Sequence, residues 1–205
     1  MTIDHIGFMI FPDLLCLRII GRIAFPIFAF LTVQGYLYTS NLKNYITRLS
    51  IEAIISFVPF SLFISNKPFY FEHQNVIFTL LLGVLAIYAI DKFIYNNKFI
   101  AIIILSLCCF TAYIIHSDYG VFGVLIIASF FIFNKNKNLS LISFAIINFC
   151  FSLLSGTYIQ GFASLAVIPL YFYNHKLGKY KLKWLFYLFY PIHMIVIYFI
   201  AKFIL

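Results

Sequence analysis

Residues 75–91 read NVIFTLLLGVLAIYAID, and this stretch decides the class of fold. Between Asn75 and Asp91 no side chain is charged, and apolar residues do not alternate with polar ones as in a membrane β-barrel strand. A helix needs about 20 apolar residues to cross a bilayer. Because lipid offers the backbone no hydrogen bonds, the stretch is expected to form a transmembrane helix.

The rest of the chain has the same character. Of its 205 residues, 64% are apolar and only 10% are charged, whereas soluble domains average roughly 45–50% and about 25%. Too few polar residues are present to cover a water-exposed surface, and disordered chains are poor in apolar residues. The composition therefore excludes both classes and predicts a single, all-α integral membrane domain over residues 1–205.

Short polar breaks divide the chain into eight to nine apolar segments. We predict them at residues 1–12, 22–38, 49–66, 75–91, 99–115, 120–133, 140–156, 162–174 and 184–203. Segments 120–133 and 162–174 are short, so they either borrow neighbouring residues or lie within protein rather than lipid. The first segment is too short to cross alone, so it is either re-entrant or truncated at the N-terminal side of its span.

The basic residues indicate an orientation for these segments. Alternating crossings place ten of the fourteen Lys and Arg residues on one side of the membrane and four on the other. The side richer in Lys and Arg is normally cytoplasmic, so we expect the N-terminus inside and the C-terminus outside. The net charge of +8 then needs no nucleic acid to explain it. A lipid contact by Lys176 to Lys183 is the second interpretation of that loop.

Cysteine spacing gives no sign of metal binding. The four cysteines lack a C-x-x-C pattern and lie mostly inside apolar runs, so we interpret them as small core residues. They are Cys16, Cys108, Cys109 and Cys150. No metal cofactor is therefore expected.

Asp4 and His5 are the first ionisable residues that topology does not explain. A charged group at membrane depth is costly and marks a function by default. Neighbouring residues project about 100° apart on a helix, so each should meet a partner on another segment. Histidine suits general acid–base chemistry near neutral pH. The alternative is an interfacial pair near a helix end.

Arg18 and Arg22 share one helix face, because they are four residues apart. Two guanidinium groups on one face suit an anion such as a phosphate, a carboxylate or a developing oxyanion. Pro26 has no N–H for the carbonyl of Arg22, so a kink is expected there. Snorkelling of both arginines towards the interface is the alternative.

The last segment carries His193 near its middle, one turn after Tyr190 and on the same face. We expect His193 to face the bundle interior, as a hydrogen-bonding partner, a proton relay or an acyl acceptor. His116 and Asp118 form a turn in which Asp118 either orients a histidine or is simply solvated. Elsewhere, Glu52 is expected to pair with Arg48 four residues earlier.

Smaller polar residues within the segments are expected to make structural hydrogen bonds between helices. They are Gln34, Thr79, Thr111 and Asn148. Most acids and histidines lie on the predicted outer half or near the midplane, whereas the inner side is mostly lysine. A site that opens outward is therefore favoured.

Four stretches of the chain resemble the TraX family. They are residues 1–7 (MTIDHIG), 17–31 (LRIIGRIAFPIFAFL), 118–120 (DYG) and 186–193 (FYLFYPIH), and they occur in order along the whole chain. The resemblance implies a multi-pass protein of a bacterial inner membrane, named for acetylation of conjugative pilin and similar to multi-span acyltransferases. Members usually carry a stretch before the Asp-His motif that completes the first span.

The resemblance also implies roles for individual residues. His5 would be the general base, oriented by Asp4 or by Asp118, and Arg22 with Arg18 would hold the phosphates of acetyl-CoA or the acyl oxyanion. Tyr190 would contribute to binding, and His193 would act as a relay. The acyl acceptor would be an amine or hydroxyl of a pilin-like protein or a surface glycan.

Two other classes of function stay open from the residues alone. Buried His, Asp and Arg side chains also suit a proton-coupled or small-anion transporter, although no inverted repeat is visible. A non-catalytic assembly partner of a pilus or envelope complex is the third class.

Overall fold

The computed structural model describes residues 1–174 and 183–204, and these residues fold into an all-helical bundle. The polytopic helix bundle predicted from the sequence is confirmed. The lysines at the centre of the predicted lipid contact, Lys176, Lys179 and Lys181, lie outside the described residues, as does His175.

Five helical rods are long and apolar enough to cross a membrane, judged by length and composition. They are Leu15–Tyr38, Leu42–Ser65, Val76–Phe93, Lys137–Ser155 and Tyr187–Ile204. Three shorter apolar rods accompany them, Lys98–Ile114, Gly120–Ile132 and Tyr158–Tyr171. In chain order the helices are α1 (Thr2–Met9), α2 (Leu15–Arg22), α3 (Ala24–Tyr38), α4 (Leu42–Ile55), α5 (Phe57–Ser65), α6 (Val76–Phe93), α7 (Lys98–Ile114), α8 (Gly120–Ile132), α9 (Lys137–Ser155), α10 (Tyr158–Gly161), α11 (Val167–Tyr171) and α12 (Lys183–Ile204), with a 3₁₀ turn at Phe162–Ala166.

Asparagine side chains start four of the helices. Asn41, Asn75, Asn97 and Asn136 each accept a hydrogen bond from a backbone N–H in the first turn of the helix that follows. The first N–H groups of a helix have no partner within it, and an Asn oxygen at the N-cap satisfies one of them. The polar breaks between apolar runs are thus helix caps as well as loops.

Two of the rods are interrupted, and one continues through a proline. α2 ends at Arg22 and α3 begins at Ala24, which is the break that Pro26 predicts. A second break lies at Ser56, between α4 and α5 and three residues before Pro59. By contrast, α12 runs without interruption through Pro191.

The core lies around α6 and α8. α6 packs against α4, α7 and α8, and one face of it is buried from Val76 to Ile90. Eight of the thirteen residues of α8 are buried. Of the two interpretations of the short segment at 120–133, burial in protein rather than lipid is therefore the one that fits.

The short helix α1 lies across α2 at two glycines. A Cβ atom on Gly21 would lie 2.1 Å from the Cβ of Asp4 and 2.6 Å from its Cα, and a Cβ on Gly7 would lie 2.7 Å from the Cβ of Leu17. Only glycine leaves room for two backbones this close. The two glycines therefore bring Asp4 into contact with the arginine face of α2.

We predict that Gly21→Ala separates α1 from α2 and destabilises the fold. The added methyl group meets the backbone of Asp4, which no side-chain rotation relieves, and overpacking of this kind costs about 1–3 kcal/mol or more. Thermal unfolding in detergent should occur several degrees lower than in the parent protein. Gly161→Ala is the matched control, because its Cβ would meet nothing closer than Ser152 Oγ at 3.4 Å. Equal unfolding temperatures for both variants would contradict the crossing.

Candidate active site

A cavity of about 590 Å³ is lined by residues of α1, α2 and α5 and by the turn between α7 and α8. Six residues singled out in the sequence line it: Asp4, His5, Arg18, Arg22, His116 and Asp118. Its remaining walls are largely aromatic and include Phe8, Phe60, Phe63, Phe122 and Phe151. Charged groups from the first two helices thus share one cavity with the turn before α8.

Asp4 lies between the two arginines of α2. Its Oδ1 atom is 3.4 Å from Arg18 Nε and 3.9 Å from Arg22 Nε. Arg18 also donates a hydrogen bond to the Asp4 carbonyl at 3.3 Å and lies over the Phe8 ring. Asp4 Oδ1 and Arg22 Nε are both fully buried, and among the described residues neither makes a hydrogen bond, so charge attraction alone joins them. A buried acceptor and a buried donor with unfilled capacity are typical of a site that takes a ligand or water.

His5 turns away from Asp4 and contacts the last helix. Its Nδ1 atom is 2.9 Å from Nε2 of His193, and Nδ1 of His193 is 2.7 Å from the carbonyl oxygen of Phe189. A carbonyl oxygen only accepts, so Nδ1 of His193 carries a proton. In neutral His193, Nε2 then accepts from His5, and Nδ1 of His5 is the donor. The proton-free nitrogen of neutral His5 is consequently Nε2.

The turn containing His116 and Asp118 is fastened to the loop before α6. Gln74 N–H donates to the carbonyl of His116 at 3.2 Å, and Asp118 N–H donates to the carbonyl of Gln74 at 2.9 Å. This pairing also brings His73 and His116 together, with ring centroids 5.8 Å apart. The mouth of the cavity is therefore built from two loops held by backbone hydrogen bonds.

The Asp118 carboxyl lies in this turn, outside the helical segments. Surrounding protein raises its pKa to about 6, because the carboxylate is less well hydrated there than in bulk water, and Arg22 opposes the rise. The group therefore stays mostly ionised at pH 7 but gains a proton in mildly acidic solution.

A second cavity, of about 310 Å³, lies on the other side of the same residues. It extends towards Thr32 of α3 and towards Tyr45 and Glu52 of α4. Tyr190 lines this cavity and not the first. Four residues line both cavities, Asp4, His5, Asp118 and Tyr119. The candidate residues thus form the partition between the two cavities.

The structure places the predicted residues together but changes two of the expected pairings. Among the described residues, the side chain that bonds to His5 is His193, not Asp4 or Asp118. The expected pair of Glu52 with Arg48 is wrong. Arg48 Nε donates to the Tyr187 hydroxyl at 3.4 Å, and in the described part of the chain Glu52 forms no ion pair. The Arg48 side chain finds a hydroxyl on α12 within reach, and Glu52 instead turns into the second cavity.

Asn148 and Thr79 make structural hydrogen bonds to other elements, as expected from the sequence, whereas Thr111 donates to the Leu107 carbonyl of its own helix. Asn148 donates to the carbonyls of Gln160 and Gly161 and to the Ser164 hydroxyl. Thr79 bonds to the Ser117 hydroxyl and to the Asp118 carbonyl, so this residue of α6 holds the turn at the cavity mouth.

Tyr119 is a site residue that the sequence does not single out. Tyr119 lies in the DYG stretch at residues 118–120. The chain has 15 tyrosines, however, and a single aromatic residue in so apolar a sequence usually belongs to the core. Only the coordinates show that it lines both cavities, the first of them together with Arg22.

Fold and site together define a polytopic membrane protein with an internal cluster of a carboxylate, two guanidinium groups and a histidine pair. A family model described as TraX protein matches residues 1–201. The chain therefore belongs to the TraX family.

Two curated proteins show how far the likeness extends. An uncharacterized protein of Rickettsia prowazekii is 32% identical over 149 residues, which cover 70% of this chain and 56% of that protein. A probable fimbrial assembly protein, FimC of serogroup H1, from Dichelobacter nodosus is 25% identical over 219 residues, covering 95% of this chain and 88% of that protein. No solved structure matches the chain significantly.

We predict that ¹⁵N NMR of histidine-labelled protein shows both His193 and His5 as the tautomer protonated at Nδ1. The carbonyl of Phe189 fixes the proton of His193, and His193 Nε2 then fixes that of His5. His5→Ala removes the bond to His193 but not the carbonyl bond, so His193 should keep its tautomer in that variant. An Nε2-protonated His193 in the parent protein would contradict the assignment.

Proposed function

We propose that the protein is a membrane-embedded acetyltransferase of a bacterial cytoplasmic membrane. It transfers the acetyl group of acetyl-CoA to an amine or hydroxyl of a pilin-like protein or surface glycan. The observation that carries this proposal is that His5, whose Nε2 can accept a proton, and Arg22, which is ion-paired with Asp4, line the same cavity.

The chemistry assigned to these groups is acyl transfer from a thioester. His5 Nε2 removes a proton from the acceptor as its nitrogen or oxygen attacks the thioester carbonyl carbon. Arg22 donates to the carbonyl oxygen while negative charge develops there. The carbon–sulfur bond then breaks, and the CoA sulfur leaves with a proton. General base catalysis contributes about 10²–10⁴-fold to such a step.

His193 has a supporting role in this scheme. It holds the His5 ring by one hydrogen bond, and its own ring is fixed by the Phe189 carbonyl. When His5 becomes an imidazolium, its Nδ1–H still donates to His193, so the pair needs no rearrangement to carry the proton. Asp4 supports the two arginines rather than His5, because its carboxylate faces them.

The two cavities support an arrangement in which donor and acceptor reach His5 from different cavities. The second cavity reaches α3 and α4 and is lined by Tyr190, and we assign it to acetyl-CoA. The larger cavity opens beside His116 and Asp118, where an acceptor would enter. A pilin-like acceptor is further supported by the relative from Dichelobacter nodosus, whose name refers to fimbrial assembly.

We predict that His5→Ala and Arg22→Ala each lower transfer of labelled acetyl from acetyl-CoA by roughly 10²-fold or more. The first variant removes the base and the second removes the oxyanion donor. Both proteins should still insert into the membrane and elute as folded species in detergent. Lys98→Ala is the control, because Lys98 begins α7 and lines neither cavity.

The measurement uses purified protein with labelled acetyl-CoA and a panel of acceptors that includes pilin N-terminal peptides and glycans. Near-parental transfer by either variant would remove that residue from the mechanism. Absence of transfer by the parent protein, together with proton or anion flux in liposomes, would instead establish the transporter.

A further inference from the structure

Glu52 is a buried acidic residue that the proposed mechanism does not use. The residue is only 8% exposed, and it lines the second cavity. In the part of the chain that the structure describes, no hydrogen bond or ion pair reaches its carboxylate. A buried acceptor without a partner is costly, and an ionisable residue at membrane depth marks a functional site by default. The carboxylate is therefore available to whatever enters the cavity.

The turn of α4 that carries Glu52 is held by contacts on either side of it. Asn75, at the start of α6, is fully buried, and its Nδ2 donates to the Ala53 carbonyl at 2.9 Å. Tyr45 lies two helical turns before Glu52 on the same face and lines the same cavity. The Tyr45 hydroxyl donates to the Thr32 carbonyl at 3.2 Å, so its proton is not directed at Glu52. The carboxylate thus faces the cavity from a turn that is fastened to α6.

The rest of the lining limits what the cavity accepts. None of the described residues that line it is a lysine or an arginine. Opposite α4, its wall is formed by apolar side chains of α6, namely Val76, Ile77 and Leu80. A phosphate group would be repelled by the Glu52 carboxylate and would find no guanidinium or lysine ammonium group among these residues. The cavity therefore suits a part of a ligand that carries N–H donors and no negative charge.

The volume of the cavity indicates which part of acetyl-CoA fits. Its 310 Å³ lie at the lower end of small-molecule sites, which span about 300–1,000 Å³. This is space for the pantetheine arm, but not for the arm and the nucleotide together. The arm is uncharged, and its amide groups carry N–H donors. A carboxylate oxygen is a strong acceptor for such a donor, because the acceptor is ionised.

We propose that Glu52 recognises the pantetheine arm of acetyl-CoA in the second cavity, by accepting a hydrogen bond from an amide N–H of that arm. The identity of the ligand rests on the proposed transferase function. The carboxylate admits the uncharged arm and excludes the phosphates, so the nucleotide stays outside this cavity. The thioester at the end of the arm then reaches His5, which lines the same cavity.

The first test measures binding without chemistry. Calorimetric titration in detergent with CoA and with pantetheine gives Kd for the parent protein and its variants. Glu52→Leu is of similar size but accepts no hydrogen bond, so both Kd values should rise roughly tenfold or more. Glu52→Gln keeps an acceptor oxygen, so its Kd values should stay within about threefold of the parent.

Glu72→Leu is the matched control for this titration. Glu72 is the other glutamate of the chain, and it is exposed and lines neither cavity. Its replacement should leave both Kd values unchanged. Equal Kd values in the parent and Glu52→Leu would overturn the proposal, as would a parent protein that binds neither CoA nor pantetheine.

The second test compares thioester donors that differ in one N–H. The donors are S-acetyl-pantetheine and its derivatives in which one amide or the other is N-methylated, which removes the donor. In the parent protein, one of the methylations should raise KM roughly tenfold. The same methylation should change KM less than about twofold in Glu52→Leu, because the acceptor is already absent. Equal methylation factors in the two proteins would overturn the proposal, since they would indicate packing alone.

The two tests separate the possible failures. Binding of CoA that depends on Glu52, in a parent protein without transfer, would reject the transferase and keep the recognition. Transfer with an unchanged donor KM in Glu52→Leu would reject the recognition alone. A raised KM for an amine acceptor with an unchanged donor KM would overturn the proposal and assign Glu52 to the ammonium group of the acceptor. If Glu52→Leu does not fold, the methylated donors decide in the parent, where no effect of either methylation would overturn the proposal.

Discussion

The contact between α1 and α2 is the constraint on which the rest of the site depends. Because Gly21 has no side chain, the backbone at Asp4 lies directly against α2. The carboxylate then faces Arg18 and Arg22, and the opposite side of α1 presents His5 to α12. Asp4 and His5 are neighbours on this eight-residue helix, so their side chains project about 100° apart and contact different partners.

Charged groups are tolerated in this bundle because oppositely charged side chains lie next to one another. An isolated ion in an apolar environment is very costly, and a pair is tolerated when its geometry and hydrogen bonds compensate the loss of water. Asp4 offsets much of the positive charge of α2, but within the described part of the chain Asp4 Oδ1 and Arg22 Nε are buried without a hydrogen bond. That residual capacity, next to two cavities, distinguishes the cluster from a purely structural ion pair, and it supports a role in binding.

The sequence predicted the elements well because their causes are local. Apolar runs of this length form helices in lipid, Asn residues cap them, and Pro26 marks the break at Ile23. The sequence was a poorer guide to which side chains bond to each other. The Glu52–Arg48 pair followed from spacing alone, yet Arg48 bonds to Tyr187, which is 139 residues away. His193 was expected to be interior, but nothing in its neighbourhood identified His5 as the residue it bonds, 188 positions earlier.

The sequence by itself determined the membrane class, the helical segments and the small set of ionisable residues that lipid would not otherwise accept, because hydrophobic transfer and backbone hydrogen bonding act on each segment separately. Only the tertiary structure decided how those residues pair, which histidine tautomers follow, and that Tyr119 belongs to the site. Those features depend on distances between segments remote in the chain, and such distances are set by packing at particular contacts such as Gly21 on Asp4 and Gly123 on Thr79.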